Sequence, residues 1–143
     1  MFQDVVCTHF GSAIASLALL SVPQQAPQSW VELEQVPALS SRSWFDQNSV
    51  TTDSHNANIR RAWFKLIYQE PQEAEGLRYV ALSSHVQVDC QERSMRSVLE
   101  TMLDARGNVV GRFASPADAP MMLVQSLTLA EAHLQRICEA TPS

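Results

Sequence analysis

Two cysteines are the residues of this sequence whose chemistry is easiest to interpret. Cys90 ends a run of alternating polar and apolar residues that begins at Tyr79, and Cys138 lies in the last turn of a helix-like segment. Both cysteines fall on apolar faces, so one disulfide could join that helix to that strand. Such a bond would place the protein outside the reducing cytoplasm. We expect Cys7 to be lost with an N-terminal leader, which leaves an even count of cysteines.

Neither cysteine has a histidine in position to activate it. His85 precedes Cys90 by five residues on a strand, which puts the two side chains on opposite faces. His133 precedes Cys138 by five residues on a helix, which also separates them. Because a Cys–His nucleophile needs both groups within hydrogen-bond reach, the sequence disfavours a catalytic cysteine.

Other catalytic and metal-binding patterns are weak. The four histidines form no HExxH or His-x-His pattern, and no serine lies in a GxSxG motif. His55 and Asp53 could share a cation, but a solvated loop is the simpler interpretation. Two carboxylate pairs are typical of solvated edges: Glu32 with Glu34, and Glu73 with Glu75. We therefore predict a protein that is not an enzyme and that needs no metal or cofactor.

The charge pattern excludes some partners and suggests another. The net charge is −5 and Lys65 is the only lysine, which argues against binding of nucleic acid or of an anionic membrane. Arg61, Trp63 and Lys65 alternate along one strand face, and Trp and Arg are enriched at protein interfaces. These three residues are our candidate protein-binding site. The alternative is that Trp63 packs under a neighbouring strand or loop and that the two cations only flank it.

The N-terminus has the pattern of an export leader. Residues 10–22 are apolar and uncharged, a length that suits a signal-peptide core and is too short to span a membrane. Only Asp4 is charged before this stretch, where a leader normally carries Lys or Arg. We expect residues 1–28 to be leader and linker, and residues 29–140 to form one domain. A buried helix is the alternative for the apolar stretch.

The elements that must position these residues are mainly strands. Alternating apolar residues and turn signals predict strands at 30–36, 59–69, 79–90, 94–103 and 109–113. Residues 43–46 form a short extended piece, and residues 50–52 are a candidate for a further short strand. The strand at 59–69 has bulky apolar groups on both faces, so we expect a central strand covered on each side. Residues 71–76 and 114–125 are predicted loops. Gly107 is expected to take a left-handed conformation in a hairpin loop at 104–108.

A single helix is predicted at the C-terminus. Thr128 and Glu131 have the spacing of a capping box. The residues expected to face the sheet recur at helical spacing: Ala130, Leu134, Ile137 and Cys138. The sequence therefore predicts an α+β fold, in which a meander of about six antiparallel strands is closed by one C-terminal helix tethered by a disulfide.

The order of several short motifs adds a family resemblance. The motifs are Trp30, Trp44-Phe45-Asp46 with Ser49-Val50, Ala62-Trp63-Phe64-Lys65, Asp89-Cys90 with Arg93, the hairpin from Leu103 to Val110, and Pro120 to Ser126 before a helix ending Ile137-Cys138. Together they resemble the surface-adhesin protein E family of Gram-negative bacteria. The resemblance implies a helix tethered to the sheet by Cys90 and Cys138, export to the periplasm or cell surface, binding of host matrix or plasma proteins, and a homodimer.

Our functional prediction follows from the residues and the resemblance together. We expect an exported, non-catalytic module that binds a host or envelope protein. The alternative is a periplasmic protein that binds a small ligand or an envelope partner and is not an adhesin.

Overall fold

The computed structural model describes residues 29–33 and 41–142, which form one antiparallel sheet and one helix. The strands are β1 (Trp30–Glu32), β2 (Ser41–Asp46), β3 (Thr51–Thr52), β4 (Ile59–Ala74), β5 (Leu77–Asp89), β6 (Ser94–Leu103), β7 (Val109–Ala114) and β8 (Met122–Leu123), and the helix is α1 (Leu129–Glu139). The strand order is β1-β2-β4-β5-β6-β7, with β3 beside β4 and β8 beside β6. The predicted α+β fold is confirmed. The expected leader at 1–28 and the continuation of the first strand to residue 36 lie outside the described residues.

The hairpin of β4 and β5 is longer than the sequence predicts. β4 continues through Pro71 to Ala74, so the predicted turn at 71–76 was wrong except at its last two residues. The chain reverses at Glu75 and Gly76, whose φ angles are 51° and 74°. Pro71 is tolerated because the β4–β5 register shifts between Ile67 and Gln72, where ladder hydrogen bonds are interrupted.

A second difference concerns the predicted loop at 114–125. Met122 and Leu123 form β8, which pairs with Met95 and Ser94 of β6. The hairpin loop that precedes it matches the prediction, since Gly107 has a φ of 82° and Asp104 accepts the backbone N–H of Arg106. A two-residue strand leaves little periodicity in the sequence, which explains why β8 was missed.

The core lies between α1 and one face of the sheet. Its buried residues are Leu33, Phe45, Val50, Ala62, Phe64, Val86, Val88, Leu134 and Ile137. Alternation along the strands produces this face, because Phe45 pairs with Phe64 and Ala62 pairs with Val86. Leu134 and Ile137 were predicted to face the sheet and do so, and His133 is buried beside them.

The start of α1 is a modified capping box. The Thr128 hydroxyl accepts the backbone N–H of Glu131 at 3.2 Å, as predicted. The Glu131 carboxylate accepts the N–H of Leu127, one residue before the expected cap, at 2.7 Å. Leu127 has a φ of 61°, and this left-handed turn brings its N–H to the carboxylate. The other carboxylate oxygen of Glu131 lies 3.2 Å from Arg93.

The end of α1 is fixed to the sheet in two ways. A disulfide joins Cys138 to Cys90, with the two Cα atoms 5.8 Å apart, which confirms the predicted bond. The Arg60 guanidinium donates from Nη1 to the carbonyls of Ile137, Cys138 and Ala140 at 3.0, 3.2 and 2.8 Å. These carbonyls lack partners within the helix, so one arginine satisfies the helix end and adds a favourable charge there.

Removing the disulfide should destabilise the protein. The bond closes a sequence separation of 48 residues, for which the chain-entropy model predicts about 4 kcal/mol. The Cys90→Ser/Cys138→Ser variant should therefore unfold at lower temperature and lower urea concentration than the oxidised protein. Dithiothreitol should lower the stability of the parent protein and leave the double variant unchanged. Equal stability of the two oxidised proteins would contradict the role of the bond.

Candidate functional site

The sheet face opposite α1 carries all three tryptophans of the chain. Trp30, Trp44 and Trp63 each neighbour a residue of the ladder Val31–Phe45–Phe64, whose phenylalanines belong to the core, so the indoles point the other way. We call this surface the open face. Its side chains are those of Arg42, Arg61, Trp30, Trp44, Trp63, Lys65 and His85. Within residues 29–33 and 41–142 no helix or second sheet lies over the open face, so of the cover expected on each side of β4 the described residues show the α1 side.

The structure brings the candidate residues Arg61, Trp63 and Lys65 together on β4. Trp63 is half-buried and stacks on His85 of β5, with ring centroids 4.7 Å apart and planes at 12°. Burial, and then the charge of Arg61, lower the pKa of His85, so the stacked imidazole stays neutral at pH 7. Trp63 therefore packs against the side chain of His85, and part of its own side chain remains exposed.

Two arginines meet on the open face beside Trp63. Arg61 and Arg96 both donate to the side-chain oxygen of Gln87, each at 3.1 Å. Gln87 is neutral, so both positive charges remain uncompensated by this contact. Lys65 forms no ion pair with any described residue. This part of the open face is therefore positive on a protein of net charge −5.

The open face also contains a cavity that the sequence did not reveal. Its volume is ≈ 390 Å³, and its lining residues are Trp30, Trp44, Lys65, Ile67, Ser83 and Leu103. We call it the indole slot. Trp44, Lys65 and Ser83 form one row across three strands. Recognising this row from sequence requires the strand register, because the residues are about 20 positions apart from one strand to the next.

An ion pair fixes one wall of the indole slot. Arg42 donates to both carboxylate oxygens of Glu32, at 2.8 and 2.9 Å, and its guanidinium lies 4.9 Å from the Trp44 ring centroid. The hydrogen bond from Arg42 lowers the pKa of Glu32, which stays ionised. Because Arg42 occupies both oxygens of Glu32, this carboxylate is not free to neutralise Lys65.

A second cavity lies on the other side of the sheet, between α1, β8 and the strands. It has a volume of ≈ 580 Å³ and is mostly apolar, with Leu66, Leu82, Met122 and Leu129 among its lining residues. His133 also lines it and contacts Ser43, with the Nε2 and Oγ atoms 3.0 Å apart. Both residues are buried, and the imidazole stacks on Phe64 with ring centroids 3.8 Å apart.

The Ser43–His133 pair lacks the parts of a hydrolytic site. In a catalytic triad a carboxylate holds the histidine in its reactive tautomer, and no described acidic residue bonds His133. Burial lowers the pKa of His133 to about 4, so the ring is neutral at pH 7. The hydrogen bond instead satisfies two buried polar groups in the core.

Asp53, which was considered with His55 as a possible cation site, has a structural role in its loop. Asp53 accepts the backbone N–H groups of His55 and Asn56, and the bond from His55 contributes most to lowering the pKa of Asp53. These contacts shape a loop. No group of three or more His, Cys, Asp or Glu residues in the described part of the chain is arranged to hold a metal ion. Glu34 lies outside the described residues.

Comparison with known proteins places the chain in a family. A sequence model of the surface-adhesin protein E family matches residues 30–139, which is most of the chain. The chain belongs to this family. No curated protein and no solved structure matches it. In this family member, the matched region runs from the first tryptophan of the open face to the end of α1.

This member of the protein E family contains no described helix that is long and apolar enough to cross a membrane. The α-helix within the described residues, α1, has 11 residues, whereas a spanning helix needs about 20.

Stability of the protein should depend on pH through His133. Well above pH 6.5 the imidazole is neutral in both the folded and the unfolded chain, and it contributes no pH dependence. As pH falls from 6.5 towards 4, the unfolded chain gains a proton that the buried ring does not, so the free energy of unfolding decreases. The full effect is on the order of 3 kcal/mol. Below pH 4 both states are protonated and this contribution stops changing.

Two measurements check this dependence. The His133 C2–H NMR signal should not titrate between pH 8 and 5, because burial lowers the pKa of this ring to about 4. Urea unfolding between pH 7 and 4.5 should show a shallower loss of stability for His133→Gln than for the parent. Equal pH slopes for the two proteins would show that His133 does not cause the effect.

Proposed function

We propose that this protein is an exported, non-catalytic binding module that holds a protein partner against the open face of its sheet. The observation that carries the proposal is the gathering of three indoles and several cations on one face of an acidic chain. Aromatic and arginine side chains contribute most to binding energy at protein interfaces. The surface-adhesin type of the family supports a role in binding, since an adhesin acts by attachment.

The charges of the open face indicate the kind of partner. Arg61, Arg96 and Lys65 lie around Trp63 and form no close ion pair with a described residue, which favours a protein surface that offers carboxylates around an apolar contact. Two acidic groups on this side are already engaged. Glu32 is bonded by Arg42, and Asp46 accepts the backbone N–H of Asn48. A host matrix protein or an envelope protein with an acidic patch would fit.

The disulfide supports export. Disulfides persist in oxidising compartments and are rare in the cytosol, and the Cys90–Cys138 bond attaches α1 to the sheet. We propose that residues 1–28 direct export and that the domain acts in the periplasm or at the cell surface. The residues of the Ser43–His133 pair serve packing, so we propose no catalytic step.

Capture by the open face can be tested with paired charge reversals. Arg61→Glu/Lys65→Glu should weaken binding to a captured partner at least about tenfold, because it places negative charge opposite an acidic patch. The matched control is Arg106→Glu/Arg136→Glu, which changes net charge equally at exposed positions in the β6–β7 loop and on α1. Purified matrix proteins and an envelope extract supply candidate partners, and biolayer interferometry measures affinity.

Three outcomes are distinguishable in that experiment. Loss of binding only in the open-face variant supports the proposal. Equal loss in both variants would point to net charge rather than to this face, and unchanged binding would exclude the face. Sedimentation velocity on the same proteins tests a homodimer, which becomes the better proposal if the parent dimerises and the open-face variant does not.

Cell labelling separates an adhesin from the periplasmic alternative. A C-terminal epitope tag on a surface adhesin should bind antibody on intact cells, because the domain faces the medium. A periplasmic protein should bind antibody only after the outer membrane is permeabilised. A cytoplasmic marker protein controls for lysis, and detection that also requires inner-membrane disruption would contradict export.

A further inference from the structure

The indole slot combines a small concave volume with a single unpaired cation. Its ≈ 390 Å³ lies within the range of pockets that hold small organic molecules. Apart from Lys65, its lining consists of two indoles, two aliphatic side chains and one hydroxyl, which come from Trp30, Trp44, Ile67, Leu103 and Ser83. A ligand would therefore contact apolar surface over most of its area and a positive charge at one place.

The electrostatics of the slot select the charge of the ligand. Lys65 is the only lining residue with a cationic side chain, and it forms no ion pair with a described residue. The nearest acid on the same row of the sheet, Glu32, has both oxygens bonded by Arg42. A cationic ligand would meet Lys65 and Arg42 as like charges. An anion would form the missing charge-assisted hydrogen bond with the ammonium group.

The apolar lining selects the body of the ligand. Indole rings prefer stacked or edge-to-face contact with other rings, and Trp and aliphatic side chains favour an apolar surface. Arg42 lies over the Trp44 ring, and this cation–π contact favours the orientation in which the indole lines the slot. Ser83 offers one hydroxyl beside Lys65, to which it is paired across β4 and β5.

We infer that the indole slot binds a small organic carboxylate with a ring-bearing apolar body. The carboxylate pairs with Lys65 and accepts a hydrogen bond from Ser83, and the ring contacts Trp30, Trp44 and the aliphatic pair. This inference does not depend on the proposed protein partner. A protein that failed to capture any partner through Arg61 and Trp63 could still bind such a ligand.

A matched pair of probes tests the inference. Indole-3-acetate has the ring and the carboxylate, and indole-3-acetamide has the same shape without the charge. Calorimetry on the purified protein should show the acetate binding at least about tenfold more tightly than the acetamide. In NMR spectra the three indole N–H signals report where the ligand binds. Indole-3-acetate should change the chemical shifts of Trp30 and Trp44 more than that of Trp63.

Variants separate the charge from the apolar contacts. Lys65→Gln should remove the preference for the acetate, Lys65→Arg should keep most of it, and Trp44→Leu should weaken both probes. Arg136→Gln is the control, because Arg136 is exposed on α1, on the other side of the sheet from the slot. Unfolding curves and the indole signals of each variant confirm folding before binding is measured.

The results that would overturn the inference are specific. Equal affinity for acetate and acetamide, unchanged preference in Lys65→Gln, or shifts centred on Trp63 would each contradict it. Absence of acetate binding up to about 10 mM, the limit of measurable weak affinity, would also contradict it.

Discussion

The attachment of the last turn of α1 to the sheet determines how the rest of this molecule is arranged. An isolated helix of 11 residues is marginal in water, so its stability must come from tertiary contacts. Cys138 is bonded to the end of β5, and Arg60 of β4 holds three carbonyls at the same helix end. With that end fixed, Leu134 and Ile137 are held against Phe64 and Val88 as the centre of the core.

This attachment makes the two faces of the sheet chemically different. The face under α1 buries apolar side chains together with the neutral His133, which bonds Ser43. The opposite face is free to carry groups that water or a ligand can reach, and it holds every tryptophan of the chain. Strand alternation thus places the stabilising contacts on one face of the sheet and the surface that we propose for binding on the other. The family assignment agrees with this arrangement, since binding needs an accessible face.

Much of the fold could be predicted from the local pattern of apolar and polar residues. Most of the features that the sequence did not predict depend on contacts between strands. Alternation predicted β5 and β6, and the apolar positions of both cysteines led to the disulfide. The residue pattern of the sequence could not show that β4 continues through Pro71. A proline is tolerated in this strand only because the β4–β5 register shifts beside it, and the sequence does not reveal that shift. The role of Arg60 was equally hidden, since its partners lie about 80 residues further along the chain.

The candidate site was predictable in part for the same reason. Arg61, Trp63 and Lys65 share one strand, and alternation alone groups them. Trp30 and Trp44 join Lys65 only through pairing of β1 with β2 and of β2 with β4. The burial of His133 was missed because its ring fills space beside Phe64 that a sequence does not reveal.

The reversal between β4 and β5 has a consequence for how this fold can vary. Glu75 and Gly76 turn the chain at the tip of the longest hairpin, and a side chain at Gly76 would meet no atom within 4 Å. Exposed tips of this kind accept added residues readily, because few contacts are lost when the chain lengthens there. Family members could therefore acquire new segments at this tip, and engineers could graft peptides there, while the helix anchor and the tryptophan-bearing surface stay intact.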